Sequence, residues 1–430
     1  MSARSKNDIA WEQLFAANRI LEGVDAAGAY QISTDTINEL RDARLMTRFD
    51  HRIQLPSIFK KHDLTIQSKS RNIYIIGRFD SYFTLPPRQD GVEEMPFPVN
   101  LETIDPTDLY SESAALLCAY NTGILERLFD EPVSLTVLGT MSAGKFDYFI
   151  RLIRTDERFP IQVENSECTI DGGFEGADTF MVVKTKNETV DDFLVRQLYY
   201  PYRLWSKKTR KHVVPVFMSY SSDLFSFYLF RFTDASYYNS IELVGQKSFQ
   251  IGSSEIEIAD LVSALNRSQV VVDPQDIPFP QADNFNRVID LLTQIHGAGS
   301  LSQEDITTNY AFDLRQTQYY ADAARYLGLV GKERTADGVT YLLTPKGVSI
   351  MTRRPAARNL ALAETILEHP LFNQIVRVYL KDAARPSLEQ VVKLMRDASL
   401  DLDREGDTTI PRRARTVLAW VDWMMRLTRN

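Results

Sequence analysis

The stretch Gln162–Arg203, QVENSECTIDGGFEGADTFMVVKTKNETVDDFLVRQLYYPYR, decides how the rest of the chain is read. It sets Asp171 beside Gly172-Gly173, which reads as a turn, and then an apolar run ending in lysines. Alternation along TFMVVKTK sends Phe180, Val182, Lys184 and Lys186 to one face of a strand. A helix from about Val190 to Trp205 follows and carries Gln197, Tyr199, Tyr200 and Tyr202. An acid ahead of a strand that ends in lysines suits the breaking of a phosphodiester. At neutral pH that reaction needs an activated water and neutralised phosphate charge, and a divalent metal held by hard oxygen ligands supplies both.

Outward from this stretch, residues 101–272 alternate helix and strand. Ser111 to Leu128 reads as a helix, and SLTVLGT, KFDYFIRLI, FPIQVENSECTI and TFMVVKT read as strands. VVPVFMSY and LFSFYLFRFT follow, rich in aromatic and β-branched residues. The expectation is an α/β (α+β) core with a mixed sheet.

Residues 1–100 form an expected N-terminal α+β domain. Helical spacing runs from Asn7 to Leu21, and Ser33 or Thr34 can cap a second helix whose polar side holds Arg41, Arg44 and Arg48. DLTIQ and IYIIGRF read as a strand pair, and PPRQDGVEEMPFP reads as a linker. Arg52, Lys60 and Lys61 add to this basic segment. A second basic group, Arg203, Lys207, Lys208, Arg210 and Lys211, follows the opening stretch. Either group suits DNA phosphate or a solvated face.

Residues 273–350 read as three helices and a hairpin. Asp283 can cap the first helix, Ser302 with Asp305 makes a capping box for the second, and the third runs from about Asp313 to Tyr326. Strands then flank Asp337-Gly338, a hairpin signal. This order resembles a winged helix-turn-helix domain. Its third helix would present Arg315, Gln316, Gln318, Tyr319, Asp322 and Arg325, of which Arg and Gln suit base edges. Such domains also serve as protein-contact modules. Residues 351–430 are a helical tail in which LAWVDWMMRL reads as core, and Arg353, Arg354, Arg412, Arg413 and Arg415 suit phosphate or a solvated rim.

At 430 residues the chain predicts about three domains. With 44% hydrophobic residues it is globular in composition, and it has no apolar run long enough to span a membrane. Two cysteines and no signal-like N-terminus suit a reducing cytoplasm. A net charge of −8 does not advertise a nucleic-acid partner, although a local basic face suffices for one. The five histidines lie at no metal-ligand spacing, and no GxxxxGK[ST], GxGxxG or GxSxG motif is present.

The pattern Asp171…Lys184-Thr185-Lys186 resembles that of the PD-(D/E)xK nucleases. These place an Asp at the start of one strand and acid-x-Lys on its neighbour. The two acids and the carbonyl of x hold the metal, and the lysine orients the attacking water. The run from Asn187 through QLYYPYR is similar to the core of a group of Type II restriction endonucleases. RDARLMTRFDHRIQLPSIF and the winged-helix segment stand in the same three-part order, so the resemblance covers most of the chain. It implies sequence-specific cleavage of double-stranded DNA with Mg²⁺, for which Mn²⁺ could substitute. It implies that Asp171, Lys186, Gln197 and Tyr200 serve the centre, the last two from a helix behind the sheet. A homodimer and a cognate DNA methyltransferase in the same system go with that class.

One residue departs from the pattern. The acid expected at 184 is Lys184. At ~4 Å and an effective dielectric near ~20, a unit charge against a dication is worth ~8 kcal/mol before screening. Three explanations stand. The acid has migrated, with Glu167 sharing the strand parity of Asp171 and Glu164, Glu175 and Asp178 nearby, so that Asp171, Glu167 and Glu175 are the candidate metal ligands. Alternatively Lys184 is an inactivating substitution, or the protein binds DNA without cutting it.

Overall fold

The computed structural model describes residues 5–88, 91–252, 256–335, 338–397 and 410–428. The chain forms two compact units. The first comprises Met1–Ile104, Ser111–Ile251 and Thr307–Leu314; the second comprises Asp105–Tyr110, Gly252–Ile306 and Arg315–Asn430. The sequence reading separates residues 1–100 from 101–272, whereas here they fold together. The reason is visible in PPRQDGVEEMPFP. Its residues Glu93–Met95 are an edge strand of the main sheet rather than linker, while Gln89 and Asp90 lie outside the described residues.

The main sheet has seven strands: β1 (Glu93–Met95), β2 (Ser134–Ser142), β3 (Glu167–Glu175), β4 (Thr179–Lys186), β5 (His212–Ser221), β6 (Leu224–Phe232) and β7 (Ile241–Ile251). Their spatial order is β1-β7-β6-β5-β4-β3-β2. β4 runs antiparallel to β3 and parallel to β5. A parallel neighbour demands a crossover, and helix α2 (Arg196–Lys208) lies between β4 and β5 in the chain. Tyr202 and Trp205 of α2 pack on Phe180 and Val182, so α2 covers the face of β4 that also carries Lys184 and Lys186. The sequence reading put this helix behind the sheet; its aromatic residues bring it to the same side. Helix α1 (Glu112–Asn121) is capped by Ser111 and packs against β3 and β4.

Two local readings change. Gly172 and Gly173 sit inside β3, not in a turn. A Cβ on Gly172 would lie 2.8 Å from the Leu116 side chain, and one on Gly173 2.7 Å from the Val137 Cβ, so close packing explains both glycines. FPIQVENSECTI is two strands rather than one. Asn165 has a φ of 57° and ends Arg158–Glu164, which pairs with Lys145–Arg151 in a separate ribbon, before β3 begins.

The N-terminal part of this unit has its own core around Trp11, Phe15, Phe49 and Phe59. The expected first helix breaks at Arg19 (φ 50°) into Lys6–Asn18 and Ile20–Ala27. The expected second helix stops at Asn38, so Arg41, Arg44 and Arg48 do not share one helical face. Ala29–Ser33, Ile73–Gly77 and Thr65–Ser68 form a three-stranded antiparallel sheet with Ile73–Gly77 in the middle.

In the second unit and the segment leading into it, α3 (Phe285–Ala298) is followed by β8 (Ser300–Ser302), α4 (Gln303–Asn309), α5 (Leu314–Tyr326), β9 (Val330–Thr335) and β10 (Gly338–Leu343). The strands pair in the order β8-β10-β9. Ser302 and Asp305 cap α4 reciprocally. Asp337, half of the expected hairpin turn, lies outside the described residues. Helices Pro345–Met351, Pro355–Leu367, Pro370–Asp382, Leu388–Asp397 and Ile410–Arg426 follow. Trp420 is fully buried against Phe285 and Phe372, and its indole donates to the Ala282 carbonyl at 2.7 Å. Arg413 is buried as well and forms no solvated rim. Among the described residues no helix is long and apolar enough to cross a membrane.

Candidate functional site

β4 is an apolar strand that turns polar at its end. Its residues Phe180 to Lys186 are all buried, and two of them are lysines. Buried ammonium groups are costly unless paired, and both are paired. Lys184 Nζ lies 2.7 Å from Asp171 Oδ2 and 3.4 Å from Glu112 Oε2. Lys186 Nζ lies 2.8 Å from Asp50 Oδ2 and 3.3 Å from Glu112 Oε1. Strand register explains the first contact: Val183 stands opposite Gly172, which brings Lys184 alongside Asp171. The Thr185 amide also donates to Asp171 Oδ2, at 2.7 Å.

Three segments therefore supply carboxylates to one strand end. Asp171 comes from β3, Glu112 from the first turn of α1, and Asp50 from the loop after Ala43–Met46. Asp50 is held where the Leu194 amide donates to its carbonyl at 2.8 Å. Glu112 is the hinge of the network, since its two oxygens serve different lysines. Burial works against ionisation of Asp50, but Lys186 and then Arg48 outweigh it and hold the carboxyl well below the ordinary range. Burial also opposes ionisation of Glu112, and Lys186 with Lys184 brings it below its ordinary value. At Asp171 burial wins, lifting the carboxyl above its ordinary value against the pull of Lys184. Lys186 is held charged because Asp50 and Glu112 overcome the effect of its burial.

The cluster borders a cavity of about 380 Å³, within the ~300–1,000 Å³ typical of ligand sites. Asp50, Glu112, Asp171 and Lys184 line it. Arg196, Gln197 and Tyr200 of α2 line it too, and Arg48 and Glu167 complete the charged lining. Tyr200 is anchored by donating to the Ser68 carbonyl at 2.6 Å.

Most of the expected centre comes together: Asp171, Lys184 and Lys186 share the cluster, and Asp171, Lys184, Gln197, Glu167 and Arg48 line the cavity. Glu175 does not join them. It pairs across from Phe180, near the opposite end of β4, and meets Lys211 at 2.9 Å. Glu167 has an exposed side chain with Arg71 at 3.7 Å. Arg44, Lys207, Lys208 and Arg210 are exposed. Lys207 reaches the Lys145 carbonyl at 3.1 Å, and Lys208 lies over the Trp205 ring. On α5, Arg315 and Gln318 are exposed, and Gln316 and Tyr319 are half-buried. Asp322 and Arg325 are not an outward pair. Asp322 is buried and meets Arg325 at 2.7 Å, which makes this an internal ion pair of the fold.

Asp50, Glu112 and Arg196 were absent from the sequence-derived site. Asp50 lies within the basic segment RDARLMTRFDHRIQLPSIF, and Glu112 beside a Ser N-cap, but neither position signals a site on its own.

Among the described residues no group of three or more His, Cys, Asp and Glu side chains is arranged to hold a metal ion. Asp171 and Glu112 nonetheless converge on a single cationic point, the Lys184 ammonium. Mg²⁺ is commonly held by one or two carboxylates with waters and substrate oxygens; here the Lys184 ammonium occupies the point between the two carboxylates.

The chain matches three family models, each described only as a domain of unknown function. They are DUF6996 over residues 8–76, DUF6997 over 77–250 and DUF7226 over 287–429. The boundary between the first two falls inside Ile73–Gly77, the middle strand of the three-stranded sheet. No match was found among curated proteins or among solved structures.

Proposed function

We propose that this chain is a sequence-specific endonuclease of the Type II restriction class, of the PD-(D/E)xK architecture, acting on double-stranded DNA with Mg²⁺. One observation carries the reading. Asp171 and Glu112, from a strand and a helix, converge on one cationic point beside the buried, charged Lys186. In this reading the missing acid of β4 has migrated to α1, and Glu112 does the work expected of residue 184. Asp171 and Glu112 would hold the ion, which when bound neutralises charge on the phosphate and acidifies a water.

The residues of the chain divide the remaining tasks. Lys186, fixed by Asp50 and Glu112, supplies a permanent positive charge at the strand end. Lys184 balances the two carboxylates in the free protein, and the DNA backbone offers it another anionic partner. The α3-to-β10 segment, whose element order supports a winged helix-turn-helix, presents Arg315 and Gln318 of α5 to bases. A homodimer is proposed for cutting both strands, with a cognate DNA methyltransferase protecting host DNA.

The test is incubation of phage and plasmid DNA with Mg²⁺ or Mn²⁺. Discrete fragments are expected, and they should disappear in Glu112→Gln and Asp171→Asn. Uncut DNA with both metals would remove the claim of activity.

The 2.7 Å Lys184–Asp171 contact favours a second reading: a DNA-binding protein of nuclease lineage in which the lysine has taken the place of the metal. Metal-independent, sequence-specific binding, with no cleavage even by Lys184→Glu, would support it.

A further inference from the structure

We propose that Arg196 is an anion seat in the cavity, holding one phosphate group of the ligand; its DNA form rests on the nucleic-acid reading above. The argument starts from which charges are already matched. Lys184 and Lys186 are neutralised by Asp50, Glu112 and Asp171. Arg48 lies 3.6 Å from Asp50, and Glu167 lies 3.7 Å from Arg71. Arg196 lines the same cavity; its backbone meets the Tyr238 hydroxyl, but its side chain has no ion pair, hydrogen bond or ring contact among the described residues. Its Nη1 is buried without a partner, and so is Oε1 of the adjacent Gln197.

A buried guanidinium nitrogen without an acceptor leaves part of its desolvation uncompensated. Two other arginines of this unit have side-chain partners: Arg78 meets Asp25 at 2.6 Å, although its Nε is buried without a partner, and Arg203 donates to Tyr199 Oη at 2.8 Å. Arg196 lines a ligand-sized space, and its guanidinium meets no carboxylate among the described residues. The fork of a guanidinium matches two oxygens of a phosphate. Gln197 can turn its amide so that N–H, rather than oxygen, addresses the same anion. In the nucleic-acid reading that phosphate belongs to a DNA strand.

The test uses the full chain and two variants, Arg196→Met and Arg196→Lys, with inorganic phosphate and a DNA duplex as probes. Without ligand, Arg196→Met should melt at or above the wild-type temperature, because an unmatched charge has been removed. A fall of several degrees would show that the fold satisfies the guanidinium and would overturn the proposal. Inorganic phosphate should raise the melting temperature of wild type and not of Arg196→Met. Duplex affinity should drop about tenfold in Arg196→Met, with a salt slope shallower by about one, and Arg196→Lys should recover part of it. Equal duplex binding by wild type and Arg196→Met, with no phosphate response, overturns the seat and leaves the DNA reading intact. A phosphate response confined to Arg196-containing protein, with no duplex binding, sustains the seat for a small phosphorylated ligand and removes the DNA reading.

Discussion

Lys184 Nζ stands 2.7 Å from Asp171 Oδ2 across two antiparallel strands, with both side chains almost fully withdrawn from solvent. A pair in that setting is easily made unfavourable, since deleting one member strands the other. Glu112 at 3.4 Å adds a second carboxylate to the same ammonium. The position of that ammonium is therefore a point at which a change of charge has a large consequence.

Lys184→Glu converts the point into a cluster of three carboxylates. Breaking the buried pair costs roughly 3 kcal/mol or more, which for a unit of this size lowers the melting temperature by about 6–12 °C. Millimolar Mg²⁺ should then restore much of the loss, while leaving wild type nearly unmoved in the absence of DNA. Thermal unfolding with and without Mg²⁺ reads both effects. A variant that melts low and ignores Mg²⁺ would show that Asp171 and Glu112 do not form a cation position.

Asp50 gives a pH signature. Its carboxyl is held well below the ordinary value by Lys186 and Arg48, which overcome its burial. A depressed carboxylate contributes stability that is fully present above the unfolded pKa of ~3.9 and is lost as pH falls below it. Asp50→Asn should be less stable than wild type at pH 7 by roughly 3 kcal/mol, because Lys186 loses a close anion. That gap should shrink below about pH 4, where wild type surrenders the same contribution. Urea unfolding between neutral and acid pH measures it; a gap independent of pH would contradict the ion pair.

The part of this site written in adjacent residues was readable. Period-two alternation put Lys184 and Lys186 on one face, whereas Asp171, read at a glycine turn, lies within β3. What alternation cannot specify is the segment that arrives from elsewhere. Asp50 is 136 positions from Lys186 and Glu112 is 72 from Lys184, and both approach through tertiary packing that no local pattern encodes. The same limit explains Gly172 and Gly173. A glycine pair has two meanings, a turn or a crowded strand, and only the neighbours Leu116 and Val137 decide between them. The helix signal at Ser302 was legible because its cap with Asp305 is local.

The crowding yields its own prediction. A Cβ at 173 would meet the Val137 Cβ at 2.7 Å, an atom fixed to the backbone, whereas at 172 the closest atoms are the ring end of Phe174 and the tip of Leu116. Neither glycine has a left-handed φ, so the penalty is one of packing alone. Gly173→Ala should cost about 1–3 kcal/mol and Gly172→Ala less, because rotatable side chains can yield. Denaturant midpoints of the two variants test the order. The reverse order would mean that β2, not the side chains, gives way.

Helix α5 separates a structural pair from an exposed face. Asp322 is buried and meets Arg325 at 2.7 Å, while Gln318, a turn earlier, is open to solvent. Arg325→Ala leaves a buried carboxylate without its cation and should destabilise by about 1–3 kcal/mol. Gln318→Ala removes no contact of the fold, so its stability should stay within ~0.5 kcal/mol of wild type. If α5 reads bases, Gln318→Ala should instead weaken binding to the preferred sequence by about 1–3 kcal/mol relative to unrelated duplexes. Thermal unfolding paired with binding to a preferred and an unrelated duplex resolves the two roles. An unchanged preference in Gln318→Ala, together with a relaxed one in a still-folded Arg325→Ala, would move the recognition face to the other side of the helix.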